Sequence, residues 1–160
     1  MKKKLVLSLG SNLGNRYAYL QQAIIAINEA FDTVSLVAQF YETPPWGDTN
    51  QSRFINTVVL VETTLSPEQC IALLQEIEIT LGRTKTHKWG PRSIDIDILF
   101  YENEILLQED LIIPHPHLQN RAFVLAPLCD LIPAYRHPVL DKTMAEILTG
   151  LDNNTKLFIP

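Results

Sequence analysis

The sequence lacks the glycine-rich motifs that bind phosphate in many nucleotide-dependent enzymes. Its six glycines form neither G-x-x-x-x-G-K-[ST] nor G-x-G-x-x-G, which excludes a P-loop and leaves a Rossmann dinucleotide site without support. No G-x-S-x-G turn presents a serine nucleophile. If this chain acts on a phosphate compound, other side chains and bound metal ions must hold the phosphate groups.

Cysteines and long apolar runs are also scarce. Cys70 and Cys129 are the two cysteines, and both lie in apolar patterns typical of buried thiols rather than of a disulfide. No apolar run approaches the ~20 residues that a membrane-spanning helix needs. Lysines at 2–4 precede an apolar stretch, but Ser8 and Gly10 interrupt it, which indicates a first strand rather than a signal peptide. We therefore expect a cytoplasmic protein that does not enter membranes.

Positive charge is in deficit over the whole chain. The net charge is −5, and a protein that neutralises nucleic-acid phosphates would carry a surplus of lysine and arginine. The 160 residues are 46% hydrophobic and 19% charged, which is ordinary for one globular domain. We expect a single, monofunctional domain over residues 1–160. It should not bind nucleic acid.

Hydrophobic periodicity predicts an alternation of strands and helices. The pattern gives strands at 5–9, 33–41, 54–62 and 94–101, with helices through 20–31 and 66–81. Ser66, Pro67 and Gln69 form a strong start signal for the second helix. The order βαββαβ is the ferredoxin-like arrangement, an antiparallel sheet with both helices on one face. The fold class is α+β, and short helices over 120–128 and 141–148 form a C-terminal extension.

Two carboxylates stand out in the run Trp89 to Leu99, which reads WGPRSIDIDIL. Asp95 and Asp97 alternate with isoleucines, so a strand places both acids on one face, roughly 7 Å apart at Cα. Paired carboxylate oxygens suit a hard cation such as magnesium that also binds phosphate. Alternating acids also occur on the solvated face of an antiparallel strand that has no function. The pair alone leaves both interpretations open.

A basic segment precedes the acids. Residues 83–92 hold four of the thirteen lysines and arginines, and a solvated charged loop is the usual explanation for such a run. Beside two metal-binding acids, the same cations would contact the phosphate oxygens that the metal ions hold. His115 and His117 are separated by a proline that favours extended backbone and diverging rings, which argues against a metal site there.

These residues resemble the hydroxymethyl-dihydropterin pyrophosphokinase family. The segment from Lys88 to Leu99 fits the family signature position by position, with Gly, Pro, Arg and both acids in place. Further agreement lies in segments 9–14, 40–45, 54–56, 75–78, 114–115 and 120–123. The resemblance covers residues 4 to 150, and it departs from the family pattern at Asp110, Ile112 and Pro116, on the nucleotide side.

The resemblance implies an activity and a set of site residues. The enzyme would transfer pyrophosphate from ATP to the hydroxymethyl group of 6-hydroxymethyl-7,8-dihydropterin, releasing AMP, in folate biosynthesis. Asp95 and Asp97 would bind two Mg²⁺ ions, and Arg83 and Arg92 would stabilise charge on the transferred group. The implied pterin ligands are Thr43, Pro44, Pro45, Trp46, Phe54, Asn56 and Phe123. The implied ATP ligands are Gln75, Glu78, Lys85, Trp89, Ile98, His115 and Arg121.

Each implied ligand also has an ordinary explanation. Phe54 and Phe123 would be core residues, and Gln75 and Glu78 would be polar residues of an exposed helix face. The alternative function is therefore a non-catalytic ferredoxin-like module that binds a pterin or a nucleotide. Such a module would retain the aromatic slot and lose the metal ligands or the arginines, whereas this sequence retains both sets.

Overall fold

An antiparallel sheet forms the centre of the computed structural model, which describes residues 1–43, 50, 52–82 and 93–160. The strands are β1 (Lys3–Ser11), β2 (Leu36–Val37), β3 (Tyr41–Thr43), β4 (Phe54–Thr63), β5 (Asp95–Tyr101), β6 (Leu106–Leu107), β7 (Ile112–Ile113) and β8 (Lys156–Leu157). The helices are α1 (Arg16–Ala30), α2 (Pro67–Thr80), α3 (Ala122–Leu131) and α4 (Met144–Thr149), with a 3-10 turn at Leu118–Asn120.

The strand order confirms the predicted ferredoxin-like topology. The main sheet runs β5-β1-β4-β3-β8, with β2 also paired to β4. Every pairing in it is antiparallel. The central ladder joins the whole of β1 to residues 55–63 of β4. Strands β6 and β7 form a separate two-stranded sheet, and β7 packs against β5.

The two faces of the sheet bury different helices. Side chains of a strand alternate between faces, so Leu5, Leu7 and Leu9 of β1 share one apolar face, where Leu20 of α1 and Leu74 of α2 pack against them. This confirms that both early helices lie on one side. On the opposite face, Val6 and Val58 pack with residues of α3 and α4, which are the predicted C-terminal extension.

Helix α2 begins where its sequence signal predicted. The Ser66 hydroxyl accepts a hydrogen bond from the Gln69 N–H, and the Gln69 side chain accepts one from the Ser66 N–H. This reciprocal capping box satisfies backbone donors that the first turn leaves unpaired. After the helix, Gly82 has a φ of +88°, a left-handed conformation that glycine adopts without steric cost.

The prediction of one strand over 33–41 is wrong. Pairing with β4 covers only Leu36–Val37 and resumes at Tyr41. In between, the Thr57 hydroxyl donates to the carbonyls of Ala38 and Gln39, and Asp130 accepts from the Gln39 N–H. Side chains from β4 and α3 thus replace ladder hydrogen bonds, and a local pattern of β-forming residues contains no information about those distant partners.

Within the described ranges, no helix is long and apolar enough to cross a membrane. Both cysteines are free thiols, and Cys70 of α2 is fully buried in the core between this helix and the sheet. Burial raises the pKa of the Cys70 thiol to about 11, so this side chain remains protonated and unreactive at neutral pH.

We predict that the folded state loses stability in mild acid because of His137. This side chain is buried, and its Nδ1 accepts hydrogen bonds from the Val139 and Leu140 N–H groups, at 3.1 Å each. Burial lowers the pKa of His137. As the pH falls below about 6.5, the unfolded chain therefore takes up a proton that the folded chain does not bind, and the free energy of unfolding decreases.

Urea unfolding at about pH 7.5 and about pH 5.5 measures this loss. The His137→Asn variant retains an acceptor for the two N–H groups and cannot titrate, so it should lose less stability between these pH values. Equal losses in the two proteins would contradict the assignment.

Candidate active site

A row of residues crosses three strands on the sheet face opposite α1 and α2. Gly10 of β1 pairs with Asn56 of β4 on one side and with Asp95 of β5 on the other. Directly paired residues of antiparallel strands point to the same face. The row therefore brings a carboxylate, a glycine and an amide together, although they are far apart in the sequence.

Gly10 is required for a close approach of side chains rather than for its backbone conformation. A Cβ atom at residue 10 would lie 2.7 Å from Asn56 Oδ1 and 3.5 Å from Phe54 Cδ1. The first distance is shorter than van der Waals contact, so these side chains occupy space that only glycine leaves empty. The periodicity predicted that the first strand ends at residue 9, but β1 continues through Ser11. A glycine inside a strand was the signal for this close approach.

The predicted pterin ligands of β3 and β4 lie next to this glycine. Thr43 pairs with Phe54 at the end of the two strands. Thr43 and Asn56 are 3% and 7% exposed, and Phe54 is half-buried. Among the described residues, Asn56 Nδ2 has no hydrogen-bond partner. Buried amide groups are rarely left unsatisfied in proteins, so a donor at this position is suited to a polar ligand.

Asp95 and Asp97 lie on one face, as the alternation predicted. Asp95 is opposite Gly10 and Asp97 is opposite Ser8, while the intervening isoleucine side chain belongs to the core on the α1–α2 side. Both acids are half-buried. Each residue therefore keeps part of its surface accessible, and carboxylate oxygens suit a hard divalent cation.

Arg121 brings a buried positive charge to the two acids. It immediately precedes α3 and is 7% exposed. Burial lowers the pKa of Arg121, whereas the charges of Asp97 and Asp95 raise it. An arginine keeps its proton at neutral pH in any case. Its guanidinium carbon lies 5.7 Å from the centre of the Phe123 ring, so the predicted pterin and nucleotide ligands meet at the start of α3.

His115 lies beside Asp97 as a neutral ring. Burial, followed by the nearby charges of Arg121 and His117, lowers the pKa of His115 to about 4. Its Nδ1 accepts a hydrogen bond of 3.1 Å from the His117 N–H, which leaves the ring proton on Nε2. Nε2 is 3.9 Å from Asp97 Oδ2, too far for a hydrogen bond. His115 therefore approaches the Asp97 carboxylate without neutralising its charge.

The carboxylate pair fits a magnesium ion whose other ligands come from a substrate and from water. In the part of the chain that the structure describes, no group of three or more His, Cys, Asp or Glu side chains forms a complete metal cage. Magnesium commonly binds through one or two carboxylates, with substrate phosphates and water as its other ligands. Asp95 and Asp97 match that pattern. The rings of His115 and His117 are tilted relative to each other, with their centroids 5.9 Å apart.

The predicted nucleotide ligands of α2 and β5 differ in exposure. Gln75 is exposed, whereas Glu78 is 6% exposed and accepts a hydrogen bond of 2.7 Å from the Ile96 N–H. That N–H lies between the two acids in the chain, so Glu78 supports β5 from α2. The Ile98 side chain is 4% exposed in the core, which leaves its backbone as the part able to contact a ligand. The roles of these residues with nucleotide remain predictions.

Seven of the predicted site residues lie outside the described residues. They comprise the proposed catalytic arginines, two nucleotide ligands and three pterin ligands, namely Arg83, Arg92, Lys85, Trp89, Pro44, Pro45 and Trp46. Their roles remain predictions from the sequence.

Comparison with known proteins gives consistent matches. A family model described as 7,8-dihydro-6-hydroxymethylpterin-pyrophosphokinase (HPPK) matches residues 6–133. The chain is similar to the 2-amino-4-hydroxy-6-hydroxymethyldihydropteridine pyrophosphokinase of Bacillus subtilis, with 44% identity over 126 residues, which are 78% of this chain and 75% of the relative. The Aquifex aeolicus protein of the same name is 39% identical over 140 residues, covering 88% and 87% of the two chains.

Among solved structures, the chain is similar to HPPK-DHPS of Plasmodium falciparum in a crystal structure with pteroate. The TM-score is 0.75 at 17% identity, and the match covers 93% of this chain and 42% of the longer one. At that identity the likeness shows a shared fold, in agreement with the strand order described above.

We predict that replacing Glu78 destabilises the fold through β5. Glu78→Ala removes the acceptor of a buried N–H group, which costs about 1–3 kcal/mol of unfolding free energy. Glu78→Gln retains a carbonyl acceptor and should lose less. Glu76→Ala, on an exposed position of the same helix, is the matched control and should change stability by less than about 0.5 kcal/mol. Denaturant unfolding tests this, and equal values for the Glu78→Ala and Glu76→Ala variants would refute it.

Proposed function

The chain belongs to the 7,8-dihydro-6-hydroxymethylpterin-pyrophosphokinase family, and on that premise we propose that its active site is the polar sheet face around Gly10. The chain is a diphosphokinase that transfers pyrophosphate from ATP to the hydroxymethyl group of hydroxymethyldihydropterin in folate biosynthesis. The alternative of a non-catalytic binding module is not favoured, because the named relatives are pyrophosphokinases.

The row Asp95, Gly10 and Asn56 is the observation that carries this assignment. The backbones of neighbouring strands lie about 4.8 Å apart, so the backbone of Asp95 and the backbone of Asn56, two strands apart, are separated by about 10 Å. A phosphate chain held at Asp95 and a heterocycle held at Asn56 would then lie next to each other on this face, because Gly10 between them has no side chain. This arrangement supports a pterin hydroxymethyl group next to the phosphates of ATP.

We propose that Asp95 and Asp97 hold two Mg²⁺ ions together with the phosphates of ATP. When bound, the ions would offset the negative charge of the phosphates. The partial exposure of the two acids supports this, as does their shared face. Arg121, buried among these charges, would donate hydrogen bonds to phosphate oxygens. Arg83 and Arg92 would contact the transferred group.

The reaction requires positioning and charge stabilisation more than protein-based covalent chemistry. The hydroxymethyl oxygen attacks the β-phosphorus and loses its proton. The bond from that phosphorus to the oxygen shared with the α-phosphate breaks, and AMP leaves. His115, held neutral by burial, adds no positive charge that would compete with Mg²⁺ for Asp97. Its Nε2–H is a donor for an oxygen of the nucleotide.

The pterin ring would lie between Phe54 and Phe123. Flat heterocycles bind well between aromatic faces, and both phenylalanines are half-buried beside the row. Asn56 Nδ2, which lacks a partner among the described residues, and Thr43 would recognise the polar edge of the ring, with Pro44, Pro45 and Trp46 completing the pocket. For ATP, we propose further contacts from Gln75, Glu78, Lys85, Trp89 and Ile98.

We also propose that the protein works as a cytoplasmic monomer. The free thiols of Cys70 and Cys129 are typical of a reducing compartment. The negative net charge disfavours binding to nucleic acid. Its partners are then the two small-molecule substrates.

We predict the reaction product and the effect of replacing one of the two carboxylates. Purified protein with Mg²⁺, ATP and hydroxymethyldihydropterin should yield AMP and pterin pyrophosphate on chromatography, and chelation of Mg²⁺ should stop the reaction. Asp97→Asn should lower kcat by about 100-fold or more, because it removes a negatively charged metal ligand. Asp95 still offsets the charge of Arg121 in this variant, so the variant should fold.

Asp152→Asn, at an exposed position near the C-terminus, is the matched control and should retain full activity. ADP as the product would refute pyrophosphate transfer. Full activity of the Asp97→Asn variant would refute the metal site.

We also predict that a side chain at residue 10 weakens pterin binding. A methyl group at residue 10 would displace the Asn56 amide, so Gly10→Ala should raise the KM for pterin by about tenfold and leave the KM for ATP nearly unchanged. Gly150→Ala is the matched control, because its added Cβ meets nothing closer than the Ile147 carbonyl oxygen at 3.6 Å. If the Gly10→Ala variant binds pterin as tightly as the parent, Asn56 does not contact the ring.

A further inference from the structure

The first residue of α1 connects two segments next to the proposed pterin pocket. Arg16 Nη1 donates a hydrogen bond to Glu42 Oε2 at 2.7 Å and another to the Arg53 carbonyl oxygen at 2.9 Å. Glu42 belongs to β3, and Arg53 immediately precedes β4. One guanidinium nitrogen therefore holds both strands at the end where they form the pocket.

These contacts lie one residue away from proposed pterin ligands. Glu42 precedes Thr43 and Arg53 precedes Phe54, and Thr43 is paired with Phe54. Because successive side chains of a strand point to opposite faces, Glu42 points away from the face that carries Thr43. Arg16 thus acts from the side of α1, behind the ligands, and does not contact the pterin itself.

The backbone that carries Arg16 is itself well anchored. The Asn15 side chain caps α1 by accepting a hydrogen bond from the Ala18 N–H. Asn12, which is 2% exposed, donates from Nδ2 to the Ser52 carbonyl oxygen at 3.1 Å. Two side chains of segment 12–16 therefore hold consecutive carbonyl groups, those of Ser52 and Arg53, directly before β4.

We propose that Arg16 is a positioning residue for pterin binding, which fixes the spacing of Thr43 and Phe54 by joining Glu42 to the Arg53 carbonyl. This inference rests on the proposed pterin pocket. The pair is partly exposed, with 26% of the Arg16 side chain and 33% of the Glu42 side chain accessible. Ion pairs at such positions add little to global stability. The effect of Arg16 is therefore local, on the geometry of the pocket.

The test compares binding of the two substrates to purified variants. Calorimetry should show that Arg16→Ala weakens binding of hydroxymethyldihydropterin by about tenfold while binding of a non-hydrolysable ATP analogue with Mg²⁺ changes by less than about twofold. At saturating pterin, kcat should remain close to the parent value. Arg16→Lys keeps the charge and one donor, and should fall between Arg16→Ala and the parent.

Arg136→Ala is the control, because Arg136 is an exposed arginine that also has acidic neighbours, Asp141 at 3.8 Å and Glu146 at 3.9 Å, but lies away from the proposed pocket. It should bind pterin like the parent. Glu42→Gln retains an acceptor and provides a milder variant if Arg16→Ala folds poorly, and it should weaken pterin binding by less than Arg16→Ala does.

The outcomes separate this inference from the proposed function. If the parent protein does not bind pterin, the proposed pocket itself is wrong. If the parent binds pterin, and the Arg16→Ala and Glu42→Gln variants both bind it as tightly as the parent does, the positioning role is refuted. Equal weakening of pterin and nucleotide binding would also refute it, because it would indicate a general loss of structure.

Discussion

The pairing of β1 with antiparallel neighbours on both sides is the constraint on which the rest of the structure depends. Every residue of β1 has a fixed partner in β4, and residues 5–10 also have one in β5. A shift by one residue would turn every side chain of a strand to the opposite face. The leucines of β1 therefore pack against α1 and α2 only when the strands pair in this register. The same register aligns Asp95, Gly10 and Asn56 on the other face. Core packing and site geometry are two results of one register.

The division of the second face explains why the site can be polar. Helices α3 and α4 cover the part around Val6 and Val58, while the row through Gly10 lies towards the other end of the same strands. The start of α3 brings Arg121 and Phe123 to the boundary between the two parts. A buried guanidinium is unfavourable unless acids compensate its charge, and Asp95 and Asp97 provide that charge.

Residues behind the site support those that face the substrates. Glu78 holds the β5 backbone between the two acids, and Arg16 holds the ends of β3 and β4. Glu78 belongs to α2 and Arg16 to α1, and both helices pack on the apolar face of the sheet. The hydrophobic core therefore holds the helices from which these polar contacts reach the site. A constellation of catalytic groups needs this second layer, because misplacement by about 1 Å costs much of its activity.

The sequence by itself determined the order of the elements, the start of α2 and the shared face of Asp95 and Asp97. These features depend on periodicity and on capping signals within a few residues, which a linear pattern contains. Its signature motif also identified the family and hence the reaction. The tertiary structure alone decided the break between β2 and β3, the close approach over Gly10 and the contacts of Glu78 and Arg16. Each of these joins residues distant in the chain, as Arg16 and Glu42 are, and local periodicity specifies which face a side chain occupies but not which partner it meets there.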